Sequence, residues 1–236
     1  MMNFQIQWHD RLPSTNTFLK ERLALEPERP SGTLVAAREQ TRGRGRRDRP
    51  WLAAANENLT FSLLLRGEVE PRKLPAAAMA AAVAVAELLI AEGVQAALKW
   101  PNDVLVGGKK ICGILSEGIP DGIIIGIGLN VNMESAEHID QPATSLLIET
   151  GRRRSIDELL EKLLPFLSAR LGEWEQGGFS RVRKSWEANV PNLGKTVSVR
   201  DGGQTRTGIL RGFGNDGELL LEEDGTISSV WAGDLS

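Results

Sequence analysis

Five of the chain's 20 arginines fall between Arg42 and Arg49. Four of them lie in the run Gly43-Arg44-Gly45-Arg46-Arg47-Asp48-Arg49-Pro50-Trp51. Two glycines allow a backbone to approach a ligand closely, and guanidinium forks match carboxylate or phosphate oxygens. Like charges this close repel one another, so the loop is expected to be mobile until an anion joins it. A solvated basic loop or a nucleic-acid contact would use the same residues. A second group, Lys99-Trp100-Pro101-Asn102-Asp103, sets a cation beside an amide and a carboxylate in a turn stiffened by proline. It could hold phosphate through Lys99 or Mg²⁺ through Asp103. Taken alone it also reads as an ordinary Pro-Asn-Asp turn.

The third group runs from Lys109 to Glu117 (KKICGILSE). Strict alternation puts Lys110 on the face of Cys112 and Ile114, and Lys109 on the face of Ile111 and Gly113. A lysine at a strand start beside a glycine suits an electrostatic clamp on a carboxylate or phosphate. Cys112, alone among Ile and Leu, reads as a small buried hydrophobe rather than a nucleophile. In the fourth group, Gly126-Ile127-Gly128-Leu129-Asn130-Val131-Asn132, the glycines sit inside an apolar strand and not at a strand-to-helix turn. That is no dinucleotide fingerprint, but it suits a sheet face that a flat ligand approaches.

The elements that must carry these groups alternate strand and helix. Ser14 or Thr15 can cap a helix over 14–25, in which Phe18, Leu19 and Leu23 fall at helical spacing. Residues 33–37 and 59–65 read as strands, with the polar segment 39–50 following the first as a loop. A long helix near 71–92 follows the second. Four strands at 96–100, 104–106, 110–116 and 122–131 come next, with Gly107-Gly108 suited to a tight hairpin. Helices return at 155–173 and 179–188. The short connections predict an α+β fold with a mixed, largely antiparallel sheet. After Pro191 only short strands appear, at 196–200, 205–213, 219–222 and 226–231, separated by DGG, NDG and EDG turns. The expected division is 1–189 for the main domain and 190–236 for a small β-barrel that needs the first for burial.

Composition removes several classes of chemistry. The charge balance is −3, with 41% hydrophobic and 25% charged residues, which fits a soluble globular chain rather than a general nucleic-acid coat. One cysteine and two histidines leave no Cys/His zinc cluster, no intrachain disulfide and little basis for a Ser-His-Asp triad. The N-terminus carries no signal pattern, and the apolar stretch 74–91 reads as a core helix rather than a membrane span. The chain reads as cytoplasmic.

In this order and at this spacing, Ser14-Thr15-Asn16, Gln40, GRGRRDRPW, KWPNDVLV (99–106), KICGILSE (110–117) and GIGLNVN resemble the biotin protein ligases (biotin–[acetyl-CoA-carboxylase] ligases). The resemblance covers nearly the whole chain. It implies a catalytic domain like that of class II aminoacyl-tRNA synthetases and a C-terminal SH3-like barrel. It further implies ATP and biotin as substrates with Mg²⁺, biotinyl-5′-AMP as intermediate, and a lysine of a biotin carboxyl carrier protein as acceptor. Carried over by position, Ser14, Thr15, Asn16, Gln40, Arg44 and Gly113 belong to the biotin end, with Gly113 leaving room. Lys110 and Arg46 would act on the carboxylate and phosphate. Gly43, Gly45, Arg47, Arg49, Trp51, Lys99, Asn102, Asp103 and Asn130 would meet the nucleotide, with Asp103 also toward the metal. Asp48 stands where a glycine is common in the family, and could pair with a neighbouring arginine. Only 13 residues precede Ser14, against the roughly 50 of a folded domain, so direct DNA binding is not expected. The resemblance allows monomer or homodimer.

Overall fold

The structure, a computed structural model, describes residues 2–137 and 139–235. The side chain of Asp48 lies outside the described residues, and with it the expected pairing to an arginine.

Eight strands build the main sheet: β1 (Gln5–Leu12), β2 (Thr33–Arg44), β3 (Pro50–Ala53), β4 (Asn58–Arg66), β5 (Ala97–Lys99), β6 (Asp103–Val106), β7 (Lys109–Ile119) and β8 (Gly122–Asn130). Their order is β1-β2-β4-β8-β7-β6-β5, with β3 paired to the far end of β2. Only β1 and β2 run parallel; the other pairings are antiparallel, as the short connections require. Gly107 and Gly108 both take positive φ, 56° and 79°, and close the β6–β7 hairpin as expected. Two strands depart from expectation. β1 was not predicted: QIQWHDRL has no clean alternation, because an edge strand exposes most of its side chains. β2 runs on through the polar residues 39–44, which the sequence reads as loop, and its extension is paired by β3.

Helices α1 (Thr15–Leu25), α2 (Leu74–Ala91), α3 (Leu146–Thr150), α4 (Ile156–Gly177) and α5 (Phe179–Glu187) complete this part. α2 is long and apolar enough to cross a membrane, but thirteen of its eighteen residues are buried here. It packs against β7 on one side and α4 and α5 on the other. Its alanines let these elements approach closely, and its all-round apolarity is that of a core helix. α1 covers the opposite face of the sheet, where Leu19 packs with Val35, Ala37, Leu64 and Ile124. It covers only part of that face. The remainder, where β7 presents Gly113 and Leu115 and β8 presents Gly126 and Gly128, stays open as the floor of a pocket.

A second sheet contains β9 (Thr196–Asp201), β10 (Gln204–Phe213), β11 (Leu219–Glu223), β12 (Thr226–Val230) and β13 (Asp234–Leu235), in the order β12-β11-β10-β9-β13. Its apolar residues share one core with the main sheet and helices. Phe213 meets Phe179 and Trp186 of α5 edge to face, at 6.3 and 5.9 Å. Trp100 Nε1 donates to the Gly217 carbonyl at 3.0 Å. This packing places β13 beside the arginine-rich segment.

Candidate active site

The pocket has a cavity volume of about 90 Å³ and opens to solvent. One end is neutral and buried. Ser14 caps α1, its Oγ accepting from Thr17 N at 3.5 Å, and so presents the first turn of the helix to the pocket. Gln40 Oε1 accepts from Thr15 N at 2.7 Å and from Thr15 Oγ1 at 3.1 Å. Ser62 Oγ lies 2.7 Å from Thr15 Oγ1 and 2.5 Å from Asn16 Oδ1. Asn16 Nδ2 donates to Glu117 Oε2 at 2.7 Å. Glu117 also accepts from Arg44 Nη2, at 3.2 and 3.3 Å. A chain of hydroxyls and amides of this kind can match a ligand that both donates and accepts hydrogen bonds.

The other end is cationic. Lys110 Nζ lies 2.8 Å from Asp103 Oδ1 and 5.9 Å from the centre of the Trp51 ring. Arg46 donates to Asn102 Oδ1 at 3.0 Å and to the Gly233 carbonyl at 3.3 Å, and Asn102 Nδ2 donates to the Ile114 carbonyl at 2.6 Å. Burial pushes the Arg46 guanidinium below its ordinary value, and its arginine neighbours add to this. Asp234 of β13 pairs with Arg49 at 2.5 Å, Arg47 at 3.6 Å and Arg46 at 3.8 Å. Burial pushes the Asp234 carboxyl up, but the Arg49 hydrogen bond and the charges of Arg49, Arg46 and Arg47 outweigh it and hold it below the usual carboxylate range. Arg47 pairs with Asp201 at 2.5 Å. The expected mutual repulsion is therefore offset within the protein: Arg44, Arg46, Arg47 and Arg49 all meet carboxylates. In place of an unstructured loop, a short 3₁₀ turn at residues 46–48 joins β2 to β3.

Lys110 corrects the alternation argument. Val104 pairs with Cys112 but Leu105 pairs with Lys110, so Ile111 is an extra residue, a β-bulge. The bulge turns Lys110 onto the face of Gly113, away from Cys112. Cys112 is fully buried in the core and burial pushes its thiol up, which suits a hydrophobe and not a nucleophile. The strand glycines also make room for groups of the protein itself. A Cβ on Gly126 would stand 2.3 Å from Asn16 Oδ1, and one on Gly128 would stand 2.3 Å from the Trp51 indole. The groups lying against the sheet face are thus Asn16 and Trp51. The room at Gly113 is taken by Lys110 and Trp51, both within about 3.0–3.2 Å of a Cβ there.

The pocket wall includes Ser14, Thr15, Asn16, Gln40, Arg44, Gly45, Arg46, Arg49, Trp51, Asn102, Asp103, Lys110 and Gly113 of the expected residues. Lys99, Gly43, Arg47 and Asn130 are not part of it. Lys99 pairs across the sheet with Asp103 but does not line the pocket. Gly43 packs its Cα against the Trp51 backbone, where a Cβ would meet the carbonyl oxygen at 2.4 Å. Asn130 is buried, and its Nδ2 donates to the Thr144 carbonyl at 2.9 Å. Thr144 N in turn donates to the Lys110 carbonyl at 2.9 Å, so Asn130 steadies the backbone that carries Lys110. Four contributors have no role in the sequence reading: Ser62, Glu117, Gln141 and Asp234. Glu117 shares alternation with Gly113 and could have been found that way; Asp234 carries no local signal, because it reaches the pocket only through the docking of the second sheet.

Among the described residues no three or more His, Cys, Asp or Glu side chains gather in a group that could hold a metal ion. Asp103 is a single carboxylate already paired to Lys110, which fits an ion held chiefly by phosphate oxygens and water rather than by a protein cage.

Residues 8–133 match the sequence profile of the Biotin/lipoate A/B protein ligase family. A biotin–[acetyl-CoA-carboxylase] ligase of Mycobacterium tuberculosis is 34% identical over 228 residues, covering 94% of this chain and 85% of that protein. A bifunctional ligase/repressor of Bacillus spizizenii is 34% identical over 215 residues, and the match spans 87% of this chain but 66% of that protein's length. The biotin protein ligase of Aquifex aeolicus, solved with biotin and ATP, superposes with a TM-score of 0.84 at 32% identity over 98% of this chain and 97% of that one. The chain belongs to the biotin/lipoate A/B protein ligase family, on the side of the biotin protein ligases.

Proposed function

We propose that this chain activates biotin with ATP and transfers it to a lysine of a biotin carboxyl carrier protein, as biotin–[acetyl-CoA-carboxylase] ligase. The observation that carries the reading is the division of one pocket into a neutral hydrogen-bonding end and a cationic end, with Lys110 and Arg46 at the second. Biotin's fused urea ring, with two N–H donors and one carbonyl acceptor, goes to Ser14, Thr15, Asn16 and Gln40. Its valerate carboxylate then reaches toward Arg46 and Lys110. A carboxylate oxygen attacks the α-phosphorus of MgATP, the Pα–O bond to the β-phosphate breaks, and pyrophosphate leaves with the electron pair. Negative charge grows on the α-phosphate oxygens during this step, and the fixed cations Lys110 and Arg46 stabilise it. Asp103 and Asn102 hold these two cations in place. Arg49 and Trp51 are assigned to the nucleotide. Gly45 gives the close backbone approach, and Arg47 and Lys99 add charge from outside the wall. In the second step the neutral ε-amine of the carrier lysine attacks the acyl carbon of biotinyl-5′-AMP, the C–O bond to AMP breaks, and the amine's proton passes to solvent. No covalent enzyme intermediate is needed, which agrees with the buried Cys112.

We assign residues 1–189 to the catalytic part and 190–236 to an SH3-like part whose β13 completes the phosphate end. The protein acts as a soluble cytoplasmic monomer or homodimer. Biotin-dependent exchange of pyrophosphate into ATP tests the assignment. The wild-type chain is expected to catalyse it, whereas Lys110→Ala folds normally and is strongly impaired. Near wild-type exchange by that variant would contradict the assignment.

A further inference from the structure

Glu117 lies just behind the neutral end of the pocket, on the same face of β7 as Gly113, and its carboxylate can only accept hydrogen bonds. Its 2.7 Å contact therefore fixes which end of the Asn16 carboxamide faces it: Nδ2. The reversed amide would set Oδ1 against Glu117 Oε2, two oxygens with partial or full negative charge at hydrogen-bond distance. Asn16 is 4% exposed, so neither orientation can be rescued by bulk water. With Nδ2 on Glu117, Oδ1 lies beside Ser62 Oγ at 2.5 Å and over Gly126, where no Cβ intervenes. Ser62 is fully buried and has one hydroxyl proton to give. The Thr15 hydroxyl gives its own proton to Gln40 Oε1, so Ser62 shares its proton between Asn16 Oδ1, the nearer acceptor at 2.5 Å, and Thr15 Oγ1 at 2.7 Å. The direction of the chain from Ser62 to Asn16 to Glu117 is thus set by the carboxylate at its end.

A carbonyl oxygen has two lone pairs, and Ser62 uses one on Asn16 Oδ1. The second remains for the pocket, which Asn16 lines. We infer that Glu117 is a positioning residue that makes the enzyme selective for a ligand ring bearing an N–H, by locking Asn16 Oδ1 into the pocket as an acceptor. This rests on the reading of Ser14–Asn16 and Gln40 as the biotin end. It adds a residue that does not touch the ligand and a chemical criterion: a urea N–H satisfies the second lone pair of the fixed acceptor, whereas a ring without such a donor leaves that lone pair buried without a partner. Sites built around a substrate N–H or O–H reject analogues lacking it far more strongly than apolar pockets reject a missing methylene.

The test compares biotin with its cyclic carbonate analogue, in which both ring N–H groups are oxygen, in pyrophosphate exchange. Wild type is expected to prefer biotin by at least about 100-fold in kcat/KM. Glu117→Gln is nearly isosteric but can present either amide end to Asn16, so the carboxamide is free to turn. Its preference is expected to fall at least about tenfold, through a raised KM for biotin, with kcat and the KM for ATP held. Glu117→Ala should show the same loss in the folded fraction, checked by circular dichroism and thermal melting. Placed in an Asn16→Ala background, Glu117→Gln should change the preference no further, because the coupled pair is already broken. A Glu117→Gln enzyme that keeps the wild-type preference, or loses activity equally on both compounds, overturns the inference while leaving the ligase assignment standing. A wild-type protein with no biotin-dependent exchange overturns the assignment itself, and this inference with it.

Discussion

The two ends of the pocket are built on opposite plans. At the neutral end, Thr15, Asn16, Gln40 and Ser62 are held by short hydrogen bonds among themselves, and Asn16 and Ser62 are buried. At the cationic end, charged side chains pair while remaining partly in water: the Arg49 side chain is 64% exposed and that of Asp234 32%. A buried polar group left without a partner costs about 1–3 kcal/mol, whereas an exposed ion pair contributes about 0–1 kcal/mol. The neutral end is therefore held in one arrangement, and the proposed reading makes it the discriminating end. The cationic end adds little to stability; on the proposed reading its charge is already in place when phosphate arrives.

This contrast can be broken by exchanging the kind of damage done at each end. The largest effect is expected from Lys110→Ala: a fall in exchange rate of about 10²–10³-fold, with the KM for biotin within a few-fold of wild type. Ser62→Ala should do the converse. Its KM for biotin is expected to rise about tenfold, from one lost hydrogen bond and an unpaired Asn16 acceptor, with kcat nearly unchanged. If Lys110→Ala raised only KM and Ser62→Ala lowered only kcat, the two ends would have been assigned the wrong way round. Asp234→Asn is expected to raise the KM for ATP by roughly three- to tenfold, because Arg46, Arg47 and Arg49 lose the carboxylate that gathers them, and to leave the KM for biotin alone. Steady-state kinetics with each substrate varied in turn would separate these outcomes.

Two smaller effects sharpen the picture. Asp234 is held below the ordinary carboxylate value, so its tie is complete at neutral pH and above that value. It weakens as pH falls from about 4 downward and the carboxyl takes up its proton. Acid titration of thermal stability should therefore show wild type losing more stability than Asp234→Asn over that range; parallel curves would remove the carboxylate from the account. Cys112→Ala should retain full exchange activity and lose about 1 kcal/mol in a denaturant titration, as expected for trimming a small core residue. A folded but inactive Cys112→Ala would point instead to acyl transfer through the thiol.

How much of this was legible in the sequence follows from the same contrast. Gly45, Arg46, Asn102 and Lys110 were legible because each lies in a run where charge, glycine and turn residues occur together. The antiparallel sheet followed from connection lengths alone. Strict alternation puts Lys110 on the wrong face because a bulge at Ile111 is a single extra residue with no mark of its own in an Ile-rich strand. β1 and the end of β2 were missed because strands at a sheet margin do not alternate cleanly. Ser62 sits in LTFSLLL, where one hydroxyl in an apolar run signals nothing until α1 is laid across it. Asp234 is the extreme case, joined to Arg49 across 185 residues of chain by the packing of one sheet on another.

The central claim is that the neutral end selects biotin and the cationic end activates its carboxylate. Incubating the protein with ATP, Mg²⁺ and either biotin or lipoate, and identifying the acyl-adenylate by mass, tests it most directly. The account predicts biotinyl-5′-AMP and pyrophosphate with biotin, and no lipoyl-AMP under the same conditions. Lipoyl-AMP formed as readily as the biotinyl adenylate, or no adenylate from either acid, would contradict it.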